Sequence, residues 1–551
     1  MLVATLHPTP TTSLAAVAHT ADALELRLDH LTLSTVESLT PTLTTLGKPT
    51  LAALHGPEAF GTFPGPLDAR FALLRAAAHA GAAFVDIDAR FAAAFGPAPA
   101  GARRIVSHHE KRGTPANLAA LFDTLERAAL PGDVVKLVTH AACAEDGLRV
   151  LTELRARVLR DPTRERIAFC SGEHGAFTRI LAPLAGSRFT YAPPDAAACT
   201  APGQLPVAAV RTALASARSL RPHSLSATRW FAVLGRPVAH SWSPRLHGAV
   251  FRALGRDAVY VACEPDDVAR FLALAHALPF EGFSVTAPFK SAALEAALEA
   301  SEDARALGAA NTLVRTEHGW RASNTDAPAV RAALELAGPR ASGEGERARD
   351  SADSVSPKPV TGSRSLAGAR ALVVGAGGAA RAAAWALRGA GARVAVHARR
   401  FDAAKELARA LWLDAARDRA RAHDAATGSA RALEIDALDA AAVARERFDV
   451  VVHATPAGSR ASADRCAVPA EWIAPNARVL DAVYRPRETE LLRRARERGA
   501  VAIPGTTWFL LQARLQSALF LARLGAERID PRALDAALAS ELEALLAEDD
   551  A

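Results

Sequence analysis

Six lysines, at positions 48, 111, 136, 290, 358 and 405, stand in a 551-residue chain whose lysines and arginines total 65. Arginine therefore carries the routine positive charge, and two lysines occur where arginine could not do the same chemistry. Lys136 lies in DVVKLV, a short β-branched run preceded by Pro131-Gly132 that reads as a buried strand. Taking an ammonium group out of water disfavours its charged form and frees an amine nucleophile. Such an amine condenses with a ketone, and the resulting iminium is an electron sink for proton loss at the adjacent carbon. The segment SHHEKRGTP supplies a proton carrier in His108 or His109. Arg179, just after Ser171 to Gly175, offers a bidentate grip on a carboxylate. The bland alternatives are a snorkelling edge-strand lysine and a capping or solvated histidine. Lys290 in GFSVTAPFK, followed by Asn311 in GAANT and Asp326 in SNTDA, raises a different chemistry. A lysine beside an aspartate can relay a proton to or from an alcohol.

Lys136 falls in a region of alternating strands and Ala/Leu-rich helices. MLVATL, ALELRLD, TLAAL, AFVDID, RRIVSHH, DVVKLVT, RIAFCSG and RFTYAP are eight strand candidates in about 220 residues, which predicts a compact (β/α)8 barrel. Barrel chemistry sits at the C-terminal strand ends, where Glu25, Arg27, His109, Lys136 and Arg179 fall. Further on, ARALVVGAGGAARAAAWAL reads strand, glycine turn, helix, with Gly375, Ala376, Gly377, Gly378, Ala379 and Ala380 at the turn. Backbone amides and the positive helix end at such a turn favour a pyrophosphate. The next strand, RVAVHARR, ends on Arg399 and Arg400 rather than on an acid, which favours the 2′-phosphate of NADP(H) over NAD(H). Hydride then moves between that cofactor and the carbon whose oxygen Lys290 and Asp326 serve. Ser241 and Ser243, in LGRPVAHSWSPRLHGAVF, read from spacing alone as a helix cap.

Two connectors divide the chain: a polar stretch at 218–229 and a Ser/Gly/Pro-rich, charged stretch at 337–367 that reads as a flexible insertion. An Ala/Arg/Asp-rich stretch near 411–432 reads as a helical or loose insertion. The length predicts at least two domains. A net charge of +6 with interspersed signs argues against nucleic acid, and no apolar span approaches membrane length. Five cysteines without metal-ligand spacing suggest reduced thiols and a cytoplasmic protein, and no His/Cys/Asp cluster argues for a metal.

Nearly all of residues 1–222 resembles type I 3-dehydroquinate dehydratase. The resemblance implies substrate binding by Glu25 and Arg27 in ELRLD, catalysis by His109 rather than His108 in SHHEKRGTP, and a Schiff base at Lys136. It assigns a carboxylate to Arg179 and a covering loop to CTAPGQL, with Thr200 replacing the usual serine and Gln204 on the substrate. The family's arginine ahead of E-G-G is missing: LAALHGPEAFG offers His55 and Glu58, and Glu58 is the candidate for orienting His109. From about 229 to the C-terminus the chain resembles shikimate dehydrogenase. That resemblance places substrate-binding groups at Ser241, Ser243, Thr286, Asn311 and Asp326, with Tyr484 near the ligand and Gln512 on the substrate. Lys290 and Asp326 become the catalytic pair, and Arg399, assisted by Arg400, takes the cofactor phosphate. FDVVVHATPAG matches a later cofactor strand and loop, placing Thr455 at the cofactor, with His453 where asparagine is usual. Ser284 and Ala329 are small departures.

The implied architecture is α/β: a dehydratase barrel over 1–222, a substrate-binding domain over 229–336 on which helices of 508–551 pack back, and a Rossmann NADP-binding domain over 368–507. The implied chemistries are consecutive, dehydration of 3-dehydroquinate and then NADPH-dependent reduction of 3-dehydroshikimate. Alternatives are a quinate preference in the second half, a class I aldolase-like barrel in the first, or a non-catalytic NADPH-binding scaffold.

Overall fold

The computed structural model describes residues 1–6, 17–29, 31–32, 35–36, 47–56, 61–99, 101–198, 203–218, 223–337, 365–421, 435–526 and 529–550. Two compact units, Met1–Glu281 and Gly282–Ala551, divide it. Of the sequence expectations, Glu58, Thr200 and nearly all of the 337–367 stretch lie outside the described residues. The helix Phe401–Arg421 runs into the 411–432 stretch, whose remainder is also outside them.

In the first unit, eight strands form one sheet in the order β7-β6-β5-β4-β3-β2-β1-β8. They are β1 Leu2–Leu6, β2 Ala23–Arg27, β3 Thr50–Ala53, β4 Phe84–Asp88, β5 Arg103–Glu110, β6 Val134–His140, β7 Arg166–Ser171 and β8 Thr190–Ala192. Every recorded pairing among them is parallel, and β8 returns to pair with β1, Val3 opposite Tyr191, so the sheet curls into a nearly closed barrel. Each strand matches one of the eight candidates read from the sequence. The strands are buried on both faces because helices such as Leu118–Ala128 and Ala144–Arg160 cover the outside. In β6, Val134, Val135 and Leu137 are wholly buried. Each such side chain contributes about 1.5–3 kcal/mol on leaving water. Together they offset the several kcal/mol that enclosing one paired ammonium costs.

The same unit carries a parallel pair, β9 Arg229–Leu234 and β10 Ala258–Cys263. The barrel holds it through Glu145, a buried carboxylate that accepts from the amides of Asp266 at 3.1 Å and Asp267 at 2.8 Å. Asp267 is also the N-cap of the helix Val268–His276, accepting from Arg270 N, so charge and cap meet at one turn.

The second unit begins within β11 Phe280–Val285, which runs antiparallel to β13 Thr312–Arg315. β13 pairs antiparallel with β14 Trp320–Ser323, and β12 Glu299–Ala300 lies parallel to β14. A separate six-stranded sheet follows in the order β17-β16-β15-β18-β19-β20, parallel throughout. Its strands are β15 Arg370–Val374, β16 Arg393–His397, β17 Ile435–Ala437, β18 Val450–His453, β19 Arg478–Asp481 and β20 Val501–Ile503. Chain order reverses between β15 and β18, the crevice where doubly wound sheets bind nucleotides. Ala380, Ala383 and Ala384 let the helix Gly378–Gly389 lie close on this sheet.

Candidate functional sites

Parity along the barrel strands decides which residues share Lys136's face. Ser107 and His109 lie opposite Lys136 and Val138 in the β5–β6 register, so His109 shares the inner face. His108 points the other way and sits 4.0 Å from Glu110. Lys136 is 4% exposed, and its Nζ donates to Asp86 Oδ2 at 2.7 Å. Glu25 Oε1 is 3.8 Å from the same nitrogen, and the Tyr191 ring lies beneath it, 4.4 Å to the centroid. The amine is therefore held by two carboxylates and an aromatic face, not by the bare apolar wall that DVVKLV suggests.

Asp86 was not singled out in the sequence, although V-D-I-D places acids at every second position of a strand. The Lys136 ammonium, followed by His55 and His109, holds the Asp86 carboxyl well below the usual carboxylate range against the opposing effect of burial. His55, where the resemblance expects an arginine nearby, brings Nε2 to 3.8 Å from Asp86 Oδ1. Its ring meets that of His109 edge-on at 4.8 Å between centroids. Burial pushes the His109 imidazole well below 6.5, with the charges of His55 and Lys136 adding to the effect. His55 is lowered as well, chiefly by burial. Both rings are thus neutral near pH 7, and a neutral ring is what a general base requires.

Arg27 pairs with Asp29 at 3.0 Å, and Asp29 accepts from the His55 amide at 3.3 Å, so β2 and β3 are pinned where Arg27 emerges. Arg179 is buried, donates to Tyr191 O at 3.3 Å and stacks on Phe169. Gly203 places Gln204 beside the end of β7: it has φ +73°, and a Cβ there would fall 2.0 Å from Gly172 O.

In β9's following turn, Ser243 opens the helix Ser243–Ala253 and is buried, and its amide donates to Ser241 Oγ at 3.2 Å. The N-cap itself is Trp242 and no side chain caps this helix, so the two serines do not form the cap read from their spacing.

In the second unit, Lys290 and Asp326 each open a helix, Lys290–Glu295 and Asp326–Leu336. Lys290 Nζ donates to Asp326 Oδ2 at 2.5 Å. Asn324 Oδ1 accepts from the Asp326 and Ala327 amides at 3.0 and 3.3 Å, fixing the helix start that carries the acid. Asn311 is buried; its Nδ2 donates to Thr325 Oγ1 at 2.9 Å and lies 3.5 Å from Gln512 Oε1. Gln516, absent from the sequence reading, ties this cluster together by donating to Asn311 O and Thr312 Oγ1 and accepting from Ser284 Oγ. A glutamine one turn beyond Gln512 was its only signal. Thr286 is exposed, and Tyr484 stacks on Phe509 at 4.7 Å.

The glycine turn follows β15. Gly375 has φ +131°, and a Cβ there would meet Ala454 O at 2.6 Å, so only glycine closes this approach. Gly377 caps the helix Gly378–Gly389 without a side-chain hydrogen bond, and a Cβ added to it would meet nothing within 4 Å. Open space before free helix amides fits a pyrophosphate. A Cβ on Gly378 would lie 3.3 Å from Lys290 Cδ, so the turn adjoins the lysine–aspartate pair. Arg399 and Arg400 are exposed just past β16.

Two family models match: type I 3-dehydroquinase over residues 4–221 and the shikimate dehydrogenase substrate binding domain over 233–313. The chloroplastic bifunctional 3-dehydroquinate dehydratase/shikimate dehydrogenase of Arabidopsis thaliana is 31% identical over 521 residues, covering 91% of this chain and 77% of the relative. The chain belongs to that bifunctional family. Within it, the dehydrogenase half also aligns with the shikimate dehydrogenase (NADP(+)) of Anaeromyxobacter dehalogenans strain 2CP-C, 41% identical over 311 residues, 56% of this chain and 96% of the relative. The solved dehydroquinate dehydratase and shikimate dehydrogenase from S. pombe covers 98% of this chain, as this chain does of it, at 22% identity and TM-score 0.41.

Proposed function

We propose that this chain converts 3-dehydroquinate to 3-dehydroshikimate in its barrel and reduces that product to shikimate with NADPH in its second half. The observation that carries the reading is the pair of lysine–aspartate contacts, one inside a barrel strand and one against the glycine turn.

In the barrel, Lys136 attacks the ketone and loss of water gives the iminium. Asp86, a weak base, keeps the nitrogen in place and balances the iminium charge. His109 takes the proton from the adjacent carbon. The resulting enamine expels the β-hydroxyl as His109 returns a proton to it, and water then releases the conjugated ketone and the amine. Atoms balance as loss of one water. Glu25, Arg27, Arg179, Thr200 and Gln204 read as substrate-binding groups.

In the second half, NADPH, when bound at Gly375 to Ala380, Arg399, Arg400 and Thr455, supplies the hydride. Lys290 donates the proton that completes the alcohol, and Asp326 positions the ammonium for that transfer. Thr286, Asn311, Tyr484 and Gln512 read as substrate contacts, as do Ser241 and Ser243. We read the domain limits as 1–222, 229–336 and 368–507; the two family models, over 4–221 and 233–313, fall within the first two. Among the described residues no helix is long and apolar enough to cross a membrane, and a cytoplasmic location is our reading.

Borohydride trapping tests the barrel half. Incubation with 3-dehydroquinate and borohydride is expected to add a ligand-derived mass to the Lys136 peptide; an adduct elsewhere, or none, would contradict the assignment.

A further inference from the structure

Outside the two lysine sites, four side chains form a hydrogen-bonded line at the ends of β18 and β19. His453 closes β18 and Asp481 closes β19, both buried. His453 Nδ1 lies 2.8 Å from Asp481 Oδ1, and its Nε2 lies 2.5 Å from Thr455 Oγ1. Asp481 also accepts from the Val483 amide at 3.0 Å and from the Thr489 hydroxyl at 2.6 Å. Thr455 Oγ1 accepts from the Ala457 amide at 3.2 Å.

Counting donors assigns the hydrogens. A carboxylate only accepts, so the ring hydrogen sits on Nδ1 and is donated to Asp481. With the ring hydrogen on Nδ1, Nε2 is an acceptor, and the Thr455 hydroxyl can donate to it while accepting the Ala457 amide. One neutral tautomer therefore satisfies every member, and a fully satisfied buried network rigidifies what it joins.

What it joins is the wall behind the nucleotide turn. The Ala454 amide donates to Val374 O at 2.8 Å, and a Cβ on Gly375 would fall 2.6 Å from Ala454 O and 3.3 Å from Thr455 Cγ2. We propose that His453 is a positioning residue for NADP(H). By tying Thr455 to Asp481 it fixes the loops after β18 and β19 against the glycine turn, so that the nucleotide meets a preorganised cradle. The inference rests on reading that turn as the NADP(H) site. Preorganisation of a cradle acts on binding rather than on the proton transfer at Lys290 and Asp326.

The test uses the full chain: NADP(+) titrations by calorimetry, and steady-state reduction of 3-dehydroshikimate. His453→Leu and Thr455→Val are each expected to raise the NADP(+) Kd and the NADPH KM about tenfold. For His453→Leu the kcat and the KM for 3-dehydroshikimate should stay within about twofold. A nucleotide Kd unchanged in Thr455→Val, or a loss confined to kcat, would overturn the proposal. If His453→Leu does not fold, Thr489→Val decides, since it removes one bond to Asp481 from a residue not assigned to the cofactor, and an unchanged nucleotide Kd there would overturn the proposal. Wild type that binds no NADP(+) would overturn the NADP(H) reading itself, a failure distinct from that of the variants.

Discussion

Two lysines meet two aspartates in this molecule, and their surroundings differ in a way that tracks their tasks. Lys136 sits mid-strand inside a barrel, 4% exposed, with Asp86 at 2.7 Å and Glu25 at 3.8 Å. Lys290 opens a helix, its side chain 18% exposed, and faces Asp326 alone at 2.5 Å among the ion pairs of the described residues. An amine that becomes covalently bound needs a dry, walled position and a counter-charge that persists through the iminium. An ammonium that lends a proton needs only one oriented partner and access to solvent for reprotonation. Strand interior and helix start supply those two conditions.

The comparison breaks most sharply by removing each lysine in turn. Lys136→Ala should reduce 3-dehydroquinate dehydration to background while leaving shikimate oxidation by NADP(+) unchanged. Equal loss in both assays would mean that the two sites are not separable. Lys290→Ala should do the converse with a smaller effect, about 10²–10⁴-fold in kcat for ketone reduction, because one proton-transfer group is lost and hydride donation remains.

The barrel site also carries a prediction in pH. Burial lowers His109 from 6.5, so the base stays neutral as pH falls through that value, and the acid limb of dehydratase kcat/KM should lie below pH 6.5. The same shift has a sign for stability. The unfolded chain binds the proton first, so the contribution of His109 and His55 is fully present above pH 6.5 and is lost as pH falls through their lowered folded values. An acid limb at 6.5 or above would show that the ring is solvated. The smallest effect expected is at the exposed Arg399. Arg399→Ala should weaken NADPH relative to NADH by about tenfold, and an unchanged ratio in parallel titrations would remove it from the phosphate site.

The sequence was most legible where one residue type has one physical reason. All eight barrel strands were readable as short apolar segments alternating with Ala/Leu-rich helical stretches. The glycine turn was readable because Gly375 admits no substitute. Lys136 and Lys290 stood out because lysine is rare in this chain, and His109 and Asp326 through the motifs that hold them. Asp86 and Gln516 did not, because an acid in a strand or a glutamine in a helix has many ordinary uses. Only the register that brings Asp86 beside Lys136, and the helix that brings Gln516 to Asn311, gives them meaning. His453 was visible as a departure from the family, but its partner Asp481 lies 28 positions further along the chain, beyond any local pattern, as does Thr489, which donates to Asp481.

The most direct test of two chemistries in series on one chain is a single continuous assay. Purified protein, 3-dehydroquinate and NADPH are mixed and NADPH absorbance is followed in wild type and in Lys136→Ala. The account expects oxidation in wild type, none in the variant, and recovery in the variant when 3-dehydroshikimate is added. Oxidation by Lys136→Ala from 3-dehydroquinate alone, or no oxidation in wild type with either substrate, would contradict it.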